Sequence, residues 1–238
     1  MHSNEENKTI LKVKDLSIVL GEETIVRDLN FEVSRGEYIT IIGSNGSGKT
    51  TLFRALIGAI PYTGTIEWAP GIVLGYVPQR LDIDRDVPLS LRDFLESKKG
   101  RVKRHDLLSY FDLVGLPHAI LKRPLGSLSG GEFQRALVGF ALLGNTNVLL
   151  FDEPTASIDK PSEEHIYTML HRLQHEKQLT ILTISHDLNF VQQYAEKVLC
   201  LNRKKYFFGV PEEGLQPQRL ADLYGDTQYK FFKHAHDA

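Results

Sequence analysis

The chain has 238 residues, 42% hydrophobic and 24% charged, as expected for a soluble globular protein with a buried core. Its formal net charge of −2 lacks the basic excess of a nucleic-acid binder. A single cysteine, Cys200, excludes an intrachain disulfide framework and suits a reducing compartment.

Residues 1–8 are polar, lack the apolar core of a signal peptide, and are expected to be a disordered leader. No run of about 18 apolar residues follows anywhere, so no membrane-spanning helix is expected. Residues 10–20 (ILKVKDLSIVL) alternate in part and predict a strand broken by Gly21. Residues 24–43 predict two more strands around a turn at Ser34–Gly36, the second of them the β-branched run Tyr38–Ile42 that suits a buried strand. A helix is expected over Thr51–Ile57, and short strands and turns over 63–80. From Pro88 to Gly115 the period becomes helical. Ser90 is placed to cap Leu91–Lys98, and Leu107, Leu108, Phe111 and Val114 share a face before Gly115 and Pro117 end the helix. Residues 147–154 (NVLLFDEP) predict a second buried strand, and Pro161 opens a helix lined by Ile166, Met169, Leu170 and Leu173. Residues 179–187 (LTILTISHD) predict a third buried strand, whereas 211–238 is polar and weakly patterned and reads as a tail. Apolar strands alternating with helices imply an α/β fold with a parallel sheet.

Two glycine turns stand out. In IIGSNGSGKTTLF, Gly43, Gly48, Lys49 and Thr50 match G-x-x-x-x-G-K-[ST] between an apolar strand and a helix, the context a phosphate loop requires. Glycines let backbone N–H groups converge on phosphate oxygens, the helix turns its positive end toward them, Lys49 adds a point charge, and the Thr50 hydroxyl suits Mg²⁺. The candidate ATP-binding residues are Gly43, Ser44, Asn45, Gly46, Ser47, Gly48, Lys49, Thr50 and Thr51. Asp152 and Glu153 end the second buried strand, where carboxylates are costly unless they have a task. Asp152 is placed to hold Mg²⁺ and Glu153 to orient or deprotonate the attacking water, the alternative being an ordinary solvent-facing acidic pair. The second turn, LSGGE at 128–132, has no neighbouring lysine. Ser129, Gly130 and Gly131 form either a plain capped helix start or a cover for a phosphate held by another chain.

In order and separation, the phosphate loop 43–50, Gln79 in YVPQ, LSGGE 128–132, LLFDEP 149–154, SID 157–159 and SHD 185–187 resemble an ABC-type ATPase cassette. The resemblance spans about residues 8–210 and implies a P-loop NTPase (RecA-like) parallel-sheet core with an N-terminal antiparallel β subdomain and a helical insert. It implies one cassette over 8–238, divided into 8–80, a helical subdomain at 81–130, further core at 131–210, and the tail 211–238. It further implies ATP and Mg²⁺ as ligands, with Thr50, Gln79 and Asp152 around Mg²⁺. Glu153, His186 and Gln79 would be catalytic, and Asp159 would lie at the seam of a head-to-tail homodimer, an N-cap being its simpler reading. Leu20 stands where such cassettes usually stack an aromatic residue on adenine.

Residues 74–95, 197–213 and 231–238 are similar to the zinc and manganese importer ATPases. That branch implies a peripheral subunit at the cytoplasmic face of the inner membrane, an integral-membrane permease, a metal-binding extracytoplasmic protein, and no nucleic acid. Val87, Leu89, Leu91, Phe94 and Leu95 would form either a permease groove or the core of the insert. His234 and His236 would be either a metal site or a plain tail. The alternative functions are a soluble ABC ATPase of DNA maintenance or translation, or a nucleotide-gated adaptor. Only 50 positions separate Gln79 from Ser129, too few for the long coiled coils of DNA-maintenance types, and a single phosphate loop disfavours the two-cassette translation types.

Overall fold

A computed structural model describes residues 9–79, 81, 87–98, 104–152, 158–203 and 205–224, with the backbone alone at 104–106. The expected leader, Glu153, Ser157, His234 and His236 lie outside the described residues. In chain order the elements are β1 (Thr9–Leu20), β2 (Glu23–Ser34), β3 (Tyr38–Ile42), α1 (Lys49–Leu56), β4 (Thr63–Trp68) and β5 (Leu74–Val77). There follow α2 (Leu91–Glu96), α3 (Arg104–Leu113), α4 (Gly130–Leu142), β6 (Val148–Asp152), α5 (Lys160–Lys177) and β7 (Thr180–Ile184). The chain continues through α6 (Leu188–Tyr194), β8 (Lys197–Asn202), β9 (Lys205–Gly209), α7 (Pro211–Gly214) and α8 (Pro217–Tyr224). Two compact units divide it, one of residues 1–71 and 182–238, the other of residues 72–181.

In the first unit β2, β1 and β4 form an antiparallel sheet in that order. The partial alternation of β1 has a local cause. Asp15 and Asp28 sit at φ 48° and 47°, and the β1–β2 register shifts between Val13 and Leu16. Asn30 braces the irregularity, its Oδ1 accepting from the Asp15 N–H at 3.0 Å and its Nδ2 donating to the Asp15 carboxylate at 3.2 Å. Such a bulge re-phases the strand, so Leu11, Val13, Leu16 and Ile18 are all buried although their spacing is not uniform. The second sheet of this unit has β7, β3, β8 and β9 in that order, with β3 and β8 parallel and β9 antiparallel to β8. All five residues of β3 are buried, as a strand covered on both faces requires.

Beneath this sheet Ile42, Val191, Val198, Cys200, Leu220, Leu223 and Tyr224 form one cluster. The expected tail therefore begins later than 211. Leu220, Leu223 and Tyr224 fall at i, i+3 and i+4, bury one face of α8, and place 217–224 in the core. Burial pushes the Cys200 thiol up to about 12.

In the second unit β5 and β6 pair in parallel. Ser90 caps α2 as the sequence predicts, in a reciprocal box with Asp93. Leu91, Phe94 and Leu95 are core residues at 0%, 8% and 2% exposure, and Phe94 stacks on Phe140 with ring centres 4.6 Å apart. Of the five residues weighed for a permease groove, these three therefore belong to the insert core, while Leu89 is half-buried and Val87 exposed. Lys98 donates to the carbonyls of Phe140 (2.8 Å) and Ala141 (3.0 Å), a cation on the C-terminal end of α4, and burial lowers its pKa.

Candidate functional site

The buried strand β3 runs into the loop 43–48, and α1 starts at Lys49. A Cβ on Gly43 would lie 2.2 Å from the Leu201 carbonyl oxygen and 2.7 Å from Ser47 Oγ, so only glycine lets the chain pass beside β8 there. Gly48, at φ 103°, adopts a left-handed conformation, and its missing Cβ makes room for Ile25 Cγ2, 2.9 Å from where it would stand. Lys49 is 6% exposed, and its ammonium folds back over the loop, donating to the carbonyls of Gly43 (2.8 Å) and Ser44 (3.1 Å). The Ser47 hydroxyl is buried with no hydrogen-bond partner among the described residues. A buried cation, an orphaned donor and a glycine cradle together fit a triphosphate.

Sequence reasoning missed Arg203. It follows β8, donates from Nε to the Gly46 carbonyl at 2.9 Å, and pairs through its guanidinium with Glu23. Glu23 lies opposite Leu20 in the β1–β2 ladder, and Leu20 is 44% exposed at the end of its strand. A basic residue in a turn carries no motif, so only the fold brings it to the loop.

The SHD segment divides its work in the same unit. The Ser185 N–H donates to the Ile41 carbonyl at 3.3 Å, and Asp187 caps α6 by accepting from the N–H groups of Asn189 (2.9 Å) and Phe190 (3.2 Å). Burial, and secondarily the Lys49 charge, lower the His186 imidazole to about 4. The fold therefore holds His186 neutral at pH 7. The unfolded chain takes up this proton near 6.5 and the fold resists it until about 4, so its contribution to stability is complete above 6.5 and lost as pH falls toward 4. Thermal denaturation of the nucleotide-free protein from pH 7 to pH 4 should show a shallower loss of Tm in His186→Gln than in the wild type.

The remaining candidates belong to the second unit. Asp152 is fully buried at the end of β6, and its Oδ2 accepts from the Tyr76 hydroxyl at 3.1 Å. Its buried carboxylate is a hard oxygen donor of the kind Mg²⁺ prefers. Gln79 is exposed just beyond β5. Ser129 is the N-cap of α4, so the plain capping role predicted for it is realised. Its Oγ accepts from the Glu132 N–H at 3.2 Å, and the Glu132 carboxylate accepts from the Ser129 N–H at 2.8 Å. That backbone bond, aided by Arg123 at 3.3 Å, lowers the Glu132 pKa. Ser129 and Gly130 are exposed, while Gly131 is buried with its Cβ position 2.9 Å from Ser162 Oγ. The Ser162 side chain also bonds Asp159, the N-cap of α5, and is the first cause of that carboxyl's lowered pKa. Ser162 thus links the start of α4 to the start of α5.

The ABC transporter family model matches residues 26–156. The chain is 35% identical over 233 residues to the zinc import ATP-binding protein ZnuC of Photorhabdus laumondii, covering 96% of this chain and 90% of that one. It is 37% identical over 218 residues to the ZnuC of Jannaschia sp., covering 91% and 89%. Among solved structures it resembles a metal-chelate-type ABC transporter in an inward-facing conformation, at TM-score 0.82 and 28% identity over 91% of this chain and 89% of that one. It also shares its fold with the ATP-binding cassette MJ0796, a dimer bound to ADP and Pi, at TM-score 0.69 and 22% identity over 83% and 98%.

Proposed function

Because the chain belongs to the ABC transporter family of ATP-binding proteins, we propose that it hydrolyses ATP to drive import of a divalent transition metal, zinc foremost, through a membrane permease. The observation that carries the nucleotide part is the phosphate loop, with the Lys49 ammonium turned inward onto the carbonyls of Gly43 and Ser44. The cargo rests on the names of the relatives, zinc import proteins at 35% and 37% identity over nearly the whole chain. Manganese and iron are the next candidates.

In this reading the loop amides of 43–48 bind the β and γ phosphates, and Lys49 exchanges its carbonyl partners for phosphate oxygens. Thr50, Asp152 and Gln79 would hold Mg²⁺, which would supply charge neutralisation to the triphosphate. Glu153 orients the attacking water and takes its proton. His186, held neutral by burial, donates an imidazole N–H toward the γ-phosphate. Two chains pair head to tail, with Ser129, Gly130 and Gly131 of each covering the ATP of the other and Asp159 at the seam. The exposure of Ser129 and Gly130 at the start of α4 supports that placement.

Among the described residues no helix is long and apolar enough to cross a membrane, so the permease is a separate subunit in this proposal. The chain then sits on the cytoplasmic face of the inner membrane, and a metal-binding extracytoplasmic protein delivers the cargo. Purification in mild detergent with ATP should recover a multi-span membrane protein, and deletion of the chain should abolish uptake of radioactive zinc. Recovery of ribosomes or DNA, with zinc uptake intact, would replace this reading with a soluble ATPase of translation or DNA maintenance.

A further inference from the structure

Helix α5 carries a feature that the nucleotide chemistry does not use. His171 and His175 are one helical turn apart, and their Nε2 atoms approach to 2.9 Å. Their rings stand at 83° to one another with centres 4.3 Å apart. A straight N–H···N hydrogen bond, both ring axes in line, would hold the ring centres about 5 Å apart. The observed ring centres are closer than that, so the two ring axes are not in line although the Nε2 atoms are within hydrogen-bond distance.

These distances are compatible with two imidazoles on one ion. With metal–nitrogen bonds of about 2.0–2.1 Å, two cis nitrogens lie about 2.9 Å apart at a right angle and about 3.3 Å apart at the tetrahedral angle. The right-angled case also places the ring centres about 4.5 Å apart. The side chains thus match a square-planar or octahedral ion as they stand and need to open by about 0.4 Å for a tetrahedral one.

The helix holds the pair in place. Ile166, Tyr167, Met169, Leu170, Leu173 and Gln174 bury the opposite side of α5, leaving His175 exposed and His171 partly so. Arg172, between them in sequence, is drawn elsewhere, donating to the Leu113 carbonyl at 2.7 Å. Beyond it the helix ends at Gln178, whose φ of 52° closes the last turn.

We propose that His171 and His175 form a bidentate surface site for an imidazole-preferring divalent transition ion such as Cu²⁺, Ni²⁺ or Zn²⁺. Among the described residues no group of three or more His, Cys, Asp or Glu side chains is placed to hold a metal, so water supplies the remaining ligands. Both imidazoles bind as the Nδ1–H tautomer, leaving both Nε2 lone pairs for the metal. Affinity follows Cu²⁺ above Ni²⁺ and Zn²⁺. The site is independent of the ATP chemistry and of the transported cargo.

The test uses the untagged full chain, free of nucleotide, in an H2A/H234A/H236A background that removes the three imidazoles nearest the chain ends. Calorimetric titration with Cu²⁺ or Zn²⁺ alone should show one ion per chain. Either H171A or H175A should weaken that event about ten-fold or more, because each removes one arm of a chelate. H165A should leave it unchanged, and the nitrogen hyperfine pattern of bound Cu²⁺ should report two imidazoles. No saturable binding, binding indifferent to both substitutions, or a Cu²⁺ spectrum with fewer than two imidazole nitrogens would each overturn the proposal. All of these outcomes can be read whether or not the chain proves to drive metal import.

Discussion

Exchanging Glu153 for glutamine is expected to slow phosphate release by about 10²–10⁴-fold while ATP still binds. Glutamine keeps the shape of the side chain and can still orient a water, but it cannot accept that water's proton. The buried Asp152 immediately before it, tied to Tyr76, is unaffected by the change and keeps its place at the end of β6. Single-turnover phosphate release and equilibrium nucleotide titration separate the two effects. A variant that hydrolyses at the wild-type rate would remove Glu153 from the mechanism. A further readout comes from the same protein. If ATP joins two copies, blocking hydrolysis should trap the pair, and size-exclusion chromatography with ATP should show a dimer that ADP does not support.

Lys49→Ala is expected to act one step earlier. Hydrogen bonds to charged groups contribute about 1.5–3 kcal/mol, so ATP affinity should fall about 10–100-fold, and hydrolysis should fall further at any fixed ATP concentration. The geometry adds a second effect. Because Lys49 spans the loop by bonding the carbonyls of Gly43 and Ser44, alanine also removes a brace from the nucleotide-free loop. Lys49→Arg should not rescue, since a planar guanidinium does not fit a slot only 6% exposed around a compact ammonium. Fluorescent-nucleotide titration decides the matter, and unchanged ATP affinity in Lys49→Ala would refute its role.

The parts of the fold legible in the sequence are those where one local signal dominates. Tyr38–Ile42, Val148–Asp152 and Thr180–Ile184 are short, mostly apolar runs, and each is a wholly buried strand. Ser90 and Ser129 each stand three residues before an acidic side chain, and each closes a capping box. Signals that depend on distant partners are lost. The register of β1 is unreadable from alternation because Asp15, at positive φ, shifts it, and that bulge is stabilised by Asn30 of the neighbouring strand. Helix α8 buries only three side chains, Leu220, Leu223 and Tyr224, and they gain meaning only when the β8 strand is beneath them. Within the site the glycine loop announces itself, but Arg203 reaches Gly46 across 157 positions and no local pattern encodes it.

The isolation of Cys200 has a practical consequence. Its thiol is 2% exposed and resists ionisation up to about 12, so a maleimide added at pH 7 finds almost no thiolate while the first unit stays folded. Since the chain holds no other cysteine, the rate of alkylation counts openings of that one core, without any engineered label. ATP at a concentration near the wild-type Kd should slow that clock in the wild type and leave it nearly unchanged in Lys49→Ala, which turns ligand binding into a stability measured at a single sulfur.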